Sequence, residues 1–303
     1  KIEMYGQTYH CWRKKGHGYM SLKNAIKQSC DIYFYEVARL LGVDKLNLTA
    51  EKFGLGKKVL GEYFPNEKQG VFPSTKWKKK AIGQNWYLGE TFITGIGQGY
   101  IQTNPLQLCL MTAQLANGGY KIYPRIDLKK NQDTVEQIKN KMQQMNKISK
   151  EKDNSILKAT ENFFGTKTKE YTPLYKNSEN IKFVLDAMFK STNELYGTSY
   201  KSRIEDPKYQ FAGKTGTSQV KRITEAERKL DLKIDQIPYK DRDHAWYIAF
   251  GPYRNPRYAV SVLVEHGGSG SKVAAPIAKK LFKLIIDRHE LREQITSKNK
   301  TNI

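Results

Sequence analysis

Tyr209–Val220 reads Y-Q-F-A-G-K-T-G-T-S-Q-V, a run of strand formers interrupted by glycine, lysine and threonine. Two β-prone pieces, Tyr209–Ala212 and Thr217–Val220, flank Gly213, Lys214, Thr215 and Gly216. Lysine brings a positive charge, threonine a hydroxyl donor, and glycine lets a ligand approach the backbone. On one strand edge these groups make a cradle for a small carboxylate or an oxyanion. Taken alone, a Lys-Thr-Gly triplet is equally an exposed strand with a solvated lysine, so its neighbours carry the argument.

Downstream, Ala245–Gly251 and Tyr258–Glu265 alternate as β-strands, and the Pro/Arg/Asn run between them predicts a hairpin. Val273–Ile286 follows as a helix with Val273, Ile277, Leu281, Leu284 and Ile285 on one face. The residues after it form a polar tail. Between Arg222 and Asp243 the chain is charged and irregular, which predicts a mobile loop.

Upstream, Ser21 caps a helix carrying Leu22, Ala25 and Ile26. A second helical pattern, Ile32, Val37, Ala38 and Leu41, stops at Gly42. Ser29-Cys30-Asp31 sits between the two. There Ser29 ends the first helix and Asp31 caps the second, so a hydroxyl and a carboxylate meet at a helix corner. Residues 43–85 predict a loop-rich lobe with short helices, and residues 1–20 predict loops. Gly95-Ile96-Gly97-Gln98-Gly99-Tyr100 lacks both a preceding strand and a following Lys-Ser/Thr, which excludes a phosphate-binding loop. Pro105, capped by Thr103 or Asn104, opens a helix whose buried stripe is Leu106, Leu110, Ala113 and Leu115. A polar insertion spans about 128–180, with Val135, Ile138, Met142 and Met145 marking a thin amphipathic helix. Ile181–Asn193 is helical again, with Phe183, Val184, Ala187 and Met188 inward. Strands after Tyr209 with helices before and after predict an α+β fold: an antiparallel sheet flanked by helices, plus a helical lobe.

The 303 residues suffice for a sizeable core. The formal charge of +22 invites an anionic surface. The basic residues are spread along the chain without an aromatic-interleaved RNA-binding pattern, so nucleic acid is not an expected partner. Three cysteines are too few, and odd in number, for a disulfide framework. No run reaches the roughly 18 apolar residues of a membrane-spanning helix. His10, Cys11 and His17 are close enough in sequence to suggest zinc, with Cys30 beyond them. No fourth ligand is evident, and Cys and His in a glycine-rich loop also simply pack; no cofactor is expected beyond this candidate structural zinc.

Taken together, Ser29-Cys30-Asp31 and Lys214-Thr215-Gly216-Thr217 match two of three motifs of penicillin-binding proteins and serine β-lactamases. His17–Tyr35, Gly95–Leu108, Phe211–Val220 and His244–Gly268 widen the likeness, and GIGQGY followed by TNPLQL makes it specific. The chain resembles the class B penicillin-binding proteins, in the branch serving wall elongation in rod-shaped bacteria. The resemblance implies a β-lactamase/transpeptidase-like domain over residues 1–288, with the polar insertion and a tail at 289–303. It also implies that the domain is truncated at its N-terminus. The family's Ser-x-x-Lys nucleophile lies several dozen residues before the Ser-x-Asn motif, and only 28 residues precede Ser29 here. Formal matches at Ser155, Ser218, Ser269 and Ser297 all follow Ser29, out of the family's order. Asp31 stands where many relatives carry Asn, as is common in the elongation branch.

The implied activity is a peptidoglycan D,D-transpeptidase working through an acyl-enzyme. By the resemblance Ser29 belongs to the proton relay, Asp31 bonds the nucleophile's lysine, and Lys214 attracts the substrate carboxylate. Thr215 and Thr217 donate hydroxyls to that carboxylate beside Gly216, and the Thr217 N–H forms half of the oxyanion hole. Implied partners are stem peptides, β-lactams, a membrane glycosyltransferase and shape-complex proteins. The implied location is the bacterial cytoplasmic membrane, facing the periplasm, with the anchor outside this chain. The alternative is a non-catalytic wall-synthesis scaffold or β-lactam sensor. A serine β-lactamase would need a deacylating base, and no fitting Glu-x-x-x-Asn loop lies between Ser29 and Lys214.

Overall fold

A computed structural model of the chain describes residues 1–301 apart from 5, 62, 125, 127–171, 222–226, 228–229 and 231. Helix patterns near the start are realised closely. Helix α1 spans Leu22–Gln28, and the Ser21 side chain accepts the Asn24 N–H at its start. Helices α2 (Asp31–Leu41) and α3 (Val43–Lys52) meet at Gly42, whose φ of 77° few other residues adopt. Helices α4 (Thr75–Ile82) and α5 (Leu88–Gly95) complete a helical lobe. Gly95 lets α5 close on α2, since a Cβ there would stand 2.4 Å from the Ala38 methyl.

Helix α6 (Pro105–Ala116) begins with a reciprocal cap between Asn104 and Gln107 and has Pro105 in its first turn. Its expected apolar stripe is corrected, because the deeply buried residues are Gln107, Thr112 and Gln114. Gln107 donates to the carbonyls of Lys57 and Gln69, both at 2.7 Å, and Gln114 donates to that of Phe53 at 3.0 Å. These amides satisfy loop backbone that passes under the helix, which apolar side chains cannot do. Helix α7 (Ser178–Asn193) buries Ala187 and Met188 as expected, together with Ile181, Ser191 and Thr192.

The main sheet has the order β3-β4-β5, with strands Ala212–Ser218, His244–Gly251 and Tyr258–Val264, all antiparallel. β3 is therefore an edge strand among the described residues. The two β-prone pieces are joined through Gly213–Gly216 into one continuous strand, in which Gly213 and Gly216 pair in register with Ala249 and Trp246. Gly213 cannot carry a side chain, as a Cβ would lie 2.3 Å from the Tyr247 hydroxyl.

Alternate residues of β4 face opposite sides of the sheet. Tyr247 and Ala249 join Phe211, Ala275, Ala278 and Phe282 in the principal core, with Phe211 and Phe282 stacked at 5.0 Å. Phe250 packs with Met188 and Ala212 in a second cluster. Helix α8 (Ala275–Thr301) follows a π turn at Gly270–Ala274. Its buried face is Ala275, Ala278, Phe282 and Ile286; of the expected face, Val273 and Leu281 pack against the core, whereas Ile277 and Leu284 are exposed. Small residues win because the helix lies close against the sheet. The expected polar tail continues as helix to Thr301. The chain's start is likewise corrected from loops to a two-stranded pair, β1 (Ile2–Met4) with β2 (Gln7–Tyr9). The amphipathic helix expected around Val135–Met145 lies outside the described residues, as does Ser155. Of the predicted loop at 222–243, the described part carries two 3-10 turns, Ile234–Gln236 and Tyr239–Asp241.

Candidate active site

The corner between α1 and α2 is built by backbone geometry. Ser29 ends α1 at φ 53° and ψ 56°, a left-handed conformation that costs a non-glycine residue about 1 kcal/mol. Cys30 rather than Asp31 is the N-cap of α2, and Asp31 is its first helical residue. The Asp31 carboxylate therefore makes no cap to its own helix. Its Oδ2 instead accepts the backbone N–H of Trp12 at 2.7 Å.

β3 faces this corner. Lys214 Nζ donates to Ser29 Oγ at 2.5 Å and to the Thr215 carbonyl at 3.0 Å. Burial lowers the Lys214 ammonium to a pKa of about 8, against an opposing pull from Asp31. Burial raises the Asp31 carboxyl above the usual carboxylate range, opposed by the Trp12 N–H and by Lys214. A hydroxyl, a carboxyl and a destabilised ammonium thus share one groove. That combination can pass protons and attract an anion.

Three residues, Thr198, Gln98 and Trp12, support this groove with no signal in the local sequence pattern. The Thr215 hydroxyl donates to Thr198 Oγ1 at 2.9 Å, and Thr198 in turn meets Ser191 Oγ at 3.1 Å. Gln98 Nε2 donates to the Thr217 carbonyl at 2.5 Å, while Gln98 Oε1 accepts the Gln219 N–H at 3.2 Å. These bonds come from outside the sheet. The Thr217 C=O therefore points to the open edge, and its own N–H points the same way. Trp12 Nε1 donates to the carbonyls of Ser29 at 2.7 Å and Gln28 at 3.2 Å. The glycine-rich run read as a non-phosphate loop thus carries the side chain that braces the strand. Gly216 lies beneath, and Gly270 packs so tightly on it that a Cβ at 270 would stand 2.5 Å from the Gly216 carbonyl.

Behind the corner, Cys11, His17 and Cys30 bring their ligand atoms within 4.8 Å of one another. Cys11 Sγ lies 3.4 Å from His17 Nδ1, and His17 Nε2 is buried without a hydrogen-bond partner among the described residues. Two thiols and an imidazole fit three of the four positions of a tetrahedral zinc. His10 is not in this cluster; its carbonyl accepts the Tyr35 hydroxyl at 3.1 Å. Cys30 takes the place the sequence had suggested for it.

The sequence profile described as "Penicillin binding protein transpeptidase domain" matches residues 1–283. The peptidoglycan D,D-transpeptidase MrdA of Salmonella typhimurium is 33% identical over 279 residues, which is 92% of this chain and 40% of that protein. MrdA of Acinetobacter baumannii is 32% identical over 269 residues, or 88% of this chain and 35% of that protein. The chain thus spans about two-fifths of the curated relatives it matches. PBP2 of Pseudomonas aeruginosa superposes with a TM-score of 0.67 at 32% identity, covering 94% of this chain and 53% of that one. PBP2 of Helicobacter pylori, solved in complex with MreC, gives 0.69 at 29% identity, covering 93% and 44%.

Proposed function

The chain belongs to the penicillin-binding protein transpeptidase domain family, and on that premise we propose that it serves a peptidoglycan D,D-transpeptidase of wall elongation. The observation that carries this reading is the contact of Lys214 Nζ with Ser29 Oγ across the groove. The Thr215–Thr217 edge lies alongside it. By the family's motif order the attacking serine belongs to a Ser-x-x-Lys motif that precedes the Ser29 motif. Its Oγ bonds to the penultimate D-Ala carbonyl carbon of a stem peptide and its proton passes to the neighbouring base. The tetrahedral oxyanion is held by the Thr217 N–H. The peptide C–N bond then breaks, and the Ser29–Lys214 pair relays a proton to the departing D-Ala amine. The amine of a second stem peptide attacks the ester, forms the cross-link amide and returns the serine its proton.

Within that sequence Lys214 supplies positive potential to the terminal carboxylate, and Thr215 and Thr217 supply hydroxyls. Asp31, raised by burial, orients the lysine that activates the nucleophile. The same groove takes β-lactams as carboxylate-bearing acyl donors. Cys11, His17 and Cys30 would hold a structural zinc, whose chemistry is to cross-link the Ser29 corner. In this reading the reaction takes place on the outer face of the cytoplasmic membrane, where the peptidoglycan named in the MrdA relatives' descriptions is built. Among the described residues no helix is long and apolar enough to cross it. The H. pylori complex supports a shape-complex partner, and a membrane glycosyltransferase completes the assembly. Incubating the full-length protein with a stem pentapeptide and an acceptor amine tests the reading. It predicts D-Ala release with cross-linked dimer, both lost in Ser29→Ala; release unaffected by that change would overturn it.

A further inference from the structure

Trp12 is 58% exposed, yet its polar groups point inward. Its indole N–H reaches the carbonyls of Ser29 at 2.7 Å and Gln28 at 3.2 Å. Its backbone N–H reaches Asp31 Oδ2 at 2.7 Å. Three hydrogen bonds from one residue therefore hold both functional groups of the corner. A tryptophan that only filled a core would be buried; this one keeps much of its ring in solvent and uses its N–H on backbone.

The need for such a clamp follows from α1. The last carbonyls of a helix have no partner within it, and Gln28 is the last residue of this one. Ser29 then turns left-handed, which an L-residue keeps only when its surroundings hold it. The indole N–H bridges the carbonyls of the two peptide units that flank the Ser29 Cα. Rotation at Ser29 would swing its Oγ away from Lys214, 2.5 Å distant, and break both indole bonds. The chain also interleaves here. Cys11 and Cys30 pack inward, while their neighbours Trp12, Ser29 and Asp31 bond to one another at the groove.

We propose that Trp12 is a positioning residue for the reaction: its indole N–H locks Ser29 in the left-handed turn that aims the hydroxyl at Lys214. The proposal rests on the transpeptidase reading for its kinetic consequence, but the conformational consequence stands apart from it. Once the N–H is removed, the corner relaxes and Ser29 spends less time in line with Lys214. Binding of the carboxylate at the Thr215–Thr217 edge, on the other side of the groove, is untouched.

The test replaces Trp12 in the full-length protein by Phe and, separately, by benzothienylalanine, which keeps the ring shape and lacks the N–H. Acylation by penicillin is resolved into noncovalent affinity and acylation rate constant. Amide hydrogen exchange of residues 26–34 and thermal melting are measured on the same samples. Both variants are expected to acylate about tenfold more slowly, with affinity and melting temperature unchanged and faster exchange confined to 28–31. Rates equal to wild type would overturn the proposal. So would slower acylation with faster exchange across the whole protein, which marks a general loss of packing. Should the wild type itself resist acylation, the transpeptidase reading fails, and local exchange at 28–31 alone decides the role of Trp12.

Discussion

Lys214 Nζ and Ser29 Oγ lie 2.5 Å apart although 185 positions separate them in sequence. The contact joins the edge strand of the sheet to the α1–α2 corner of the helical lobe. Each partner is held by its own support: Ser29 by Trp12, and β3 by Gln98 and Thr198.

The lysine in this pair sets a pH signature. Burial brings Lys214 down to about 8 from its ordinary 10.5. Between those values the unfolded chain holds more protons on this side chain than the folded one. Stability therefore rises with pH across that window. Urea unfolding of wild type and Lys214→Met at pH 7.5, 9 and 10.5 is expected to show the rise in the difference between them. A pH-independent difference would mean that the lysine stays charged at no cost.

Gln98 is expected to brace the strand edge. Gln98→Leu removes the bonds to the Thr217 carbonyl and the Gln219 N–H. Each net hydrogen bond is worth about 1 kcal/mol. The full-length variant should exchange the Gln219 amide faster and acylate several-fold more slowly. Thr198→Val breaks the hydroxyl chain to Thr215 and should weaken carboxylate binding by a similar factor, leaving the Gln219 amide protected.

Lys78 is a stability prediction. Its side chain is 1% exposed, its Nζ lies 2.5 Å from Glu90 Oε1, and it faces the Tyr87 ring at 4.6 Å. Glu90 Oε1 also accepts the Tyr100 hydroxyl at 3.3 Å, tying the pair to the loop that carries Gln98. Lys78→Ala strands a partly buried carboxylate and should cost about 3 kcal/mol in chemical unfolding. Pairing Lys78→Met with Glu90→Gln should recover most of that loss.

Metal removal tests the Cys11, His17 and Cys30 cluster. Zinc analysis of the full-length protein is expected to find bound metal. A strong chelator should lower the melting temperature of wild type and leave Cys30→Ser unmoved. Equal melting of wild type with and without chelator would leave the thiols as simple core residues.

Caps and periodicity are local signals and made the α+β fold legible, while the two halves of the groove were paired only through the Ser-x-Asn-type and Lys-Thr-Gly motifs of the family they resemble. Ser21, Gly42 and Pro105 mark helix ends through their own chemistry, and the β4–β5 hairpin follows from alternation. What escaped was non-local. Gln98 sits in a run of glycines, but its partners are 119 and 121 residues away. Trp12 lies in residues 1–20, which predict only loops, and nothing in its spacing announces bonds to residues 28, 29 and 31. The buried stripe of α6 was misread for a related reason. Gln107 and Gln114 are interior because passing backbone needs amide partners, which hydropathy counts as surface. On α8 the expected stripe missed Ala275 and Ala278, which close packing on the sheet buries beside Phe282.

The central claim, that the Ser29–Lys214 groove performs acyl transfer, is tested most directly by fluorescent-penicillin labelling of the full-length protein. Wild type should form a covalent band, and Ser29→Ala and Lys214→Ala should each label about 100-fold more slowly. The isolated 303-residue chain should show no specific band. Wild-type labelling rates in both variants, or a stable adduct on the isolated chain, would contradict it.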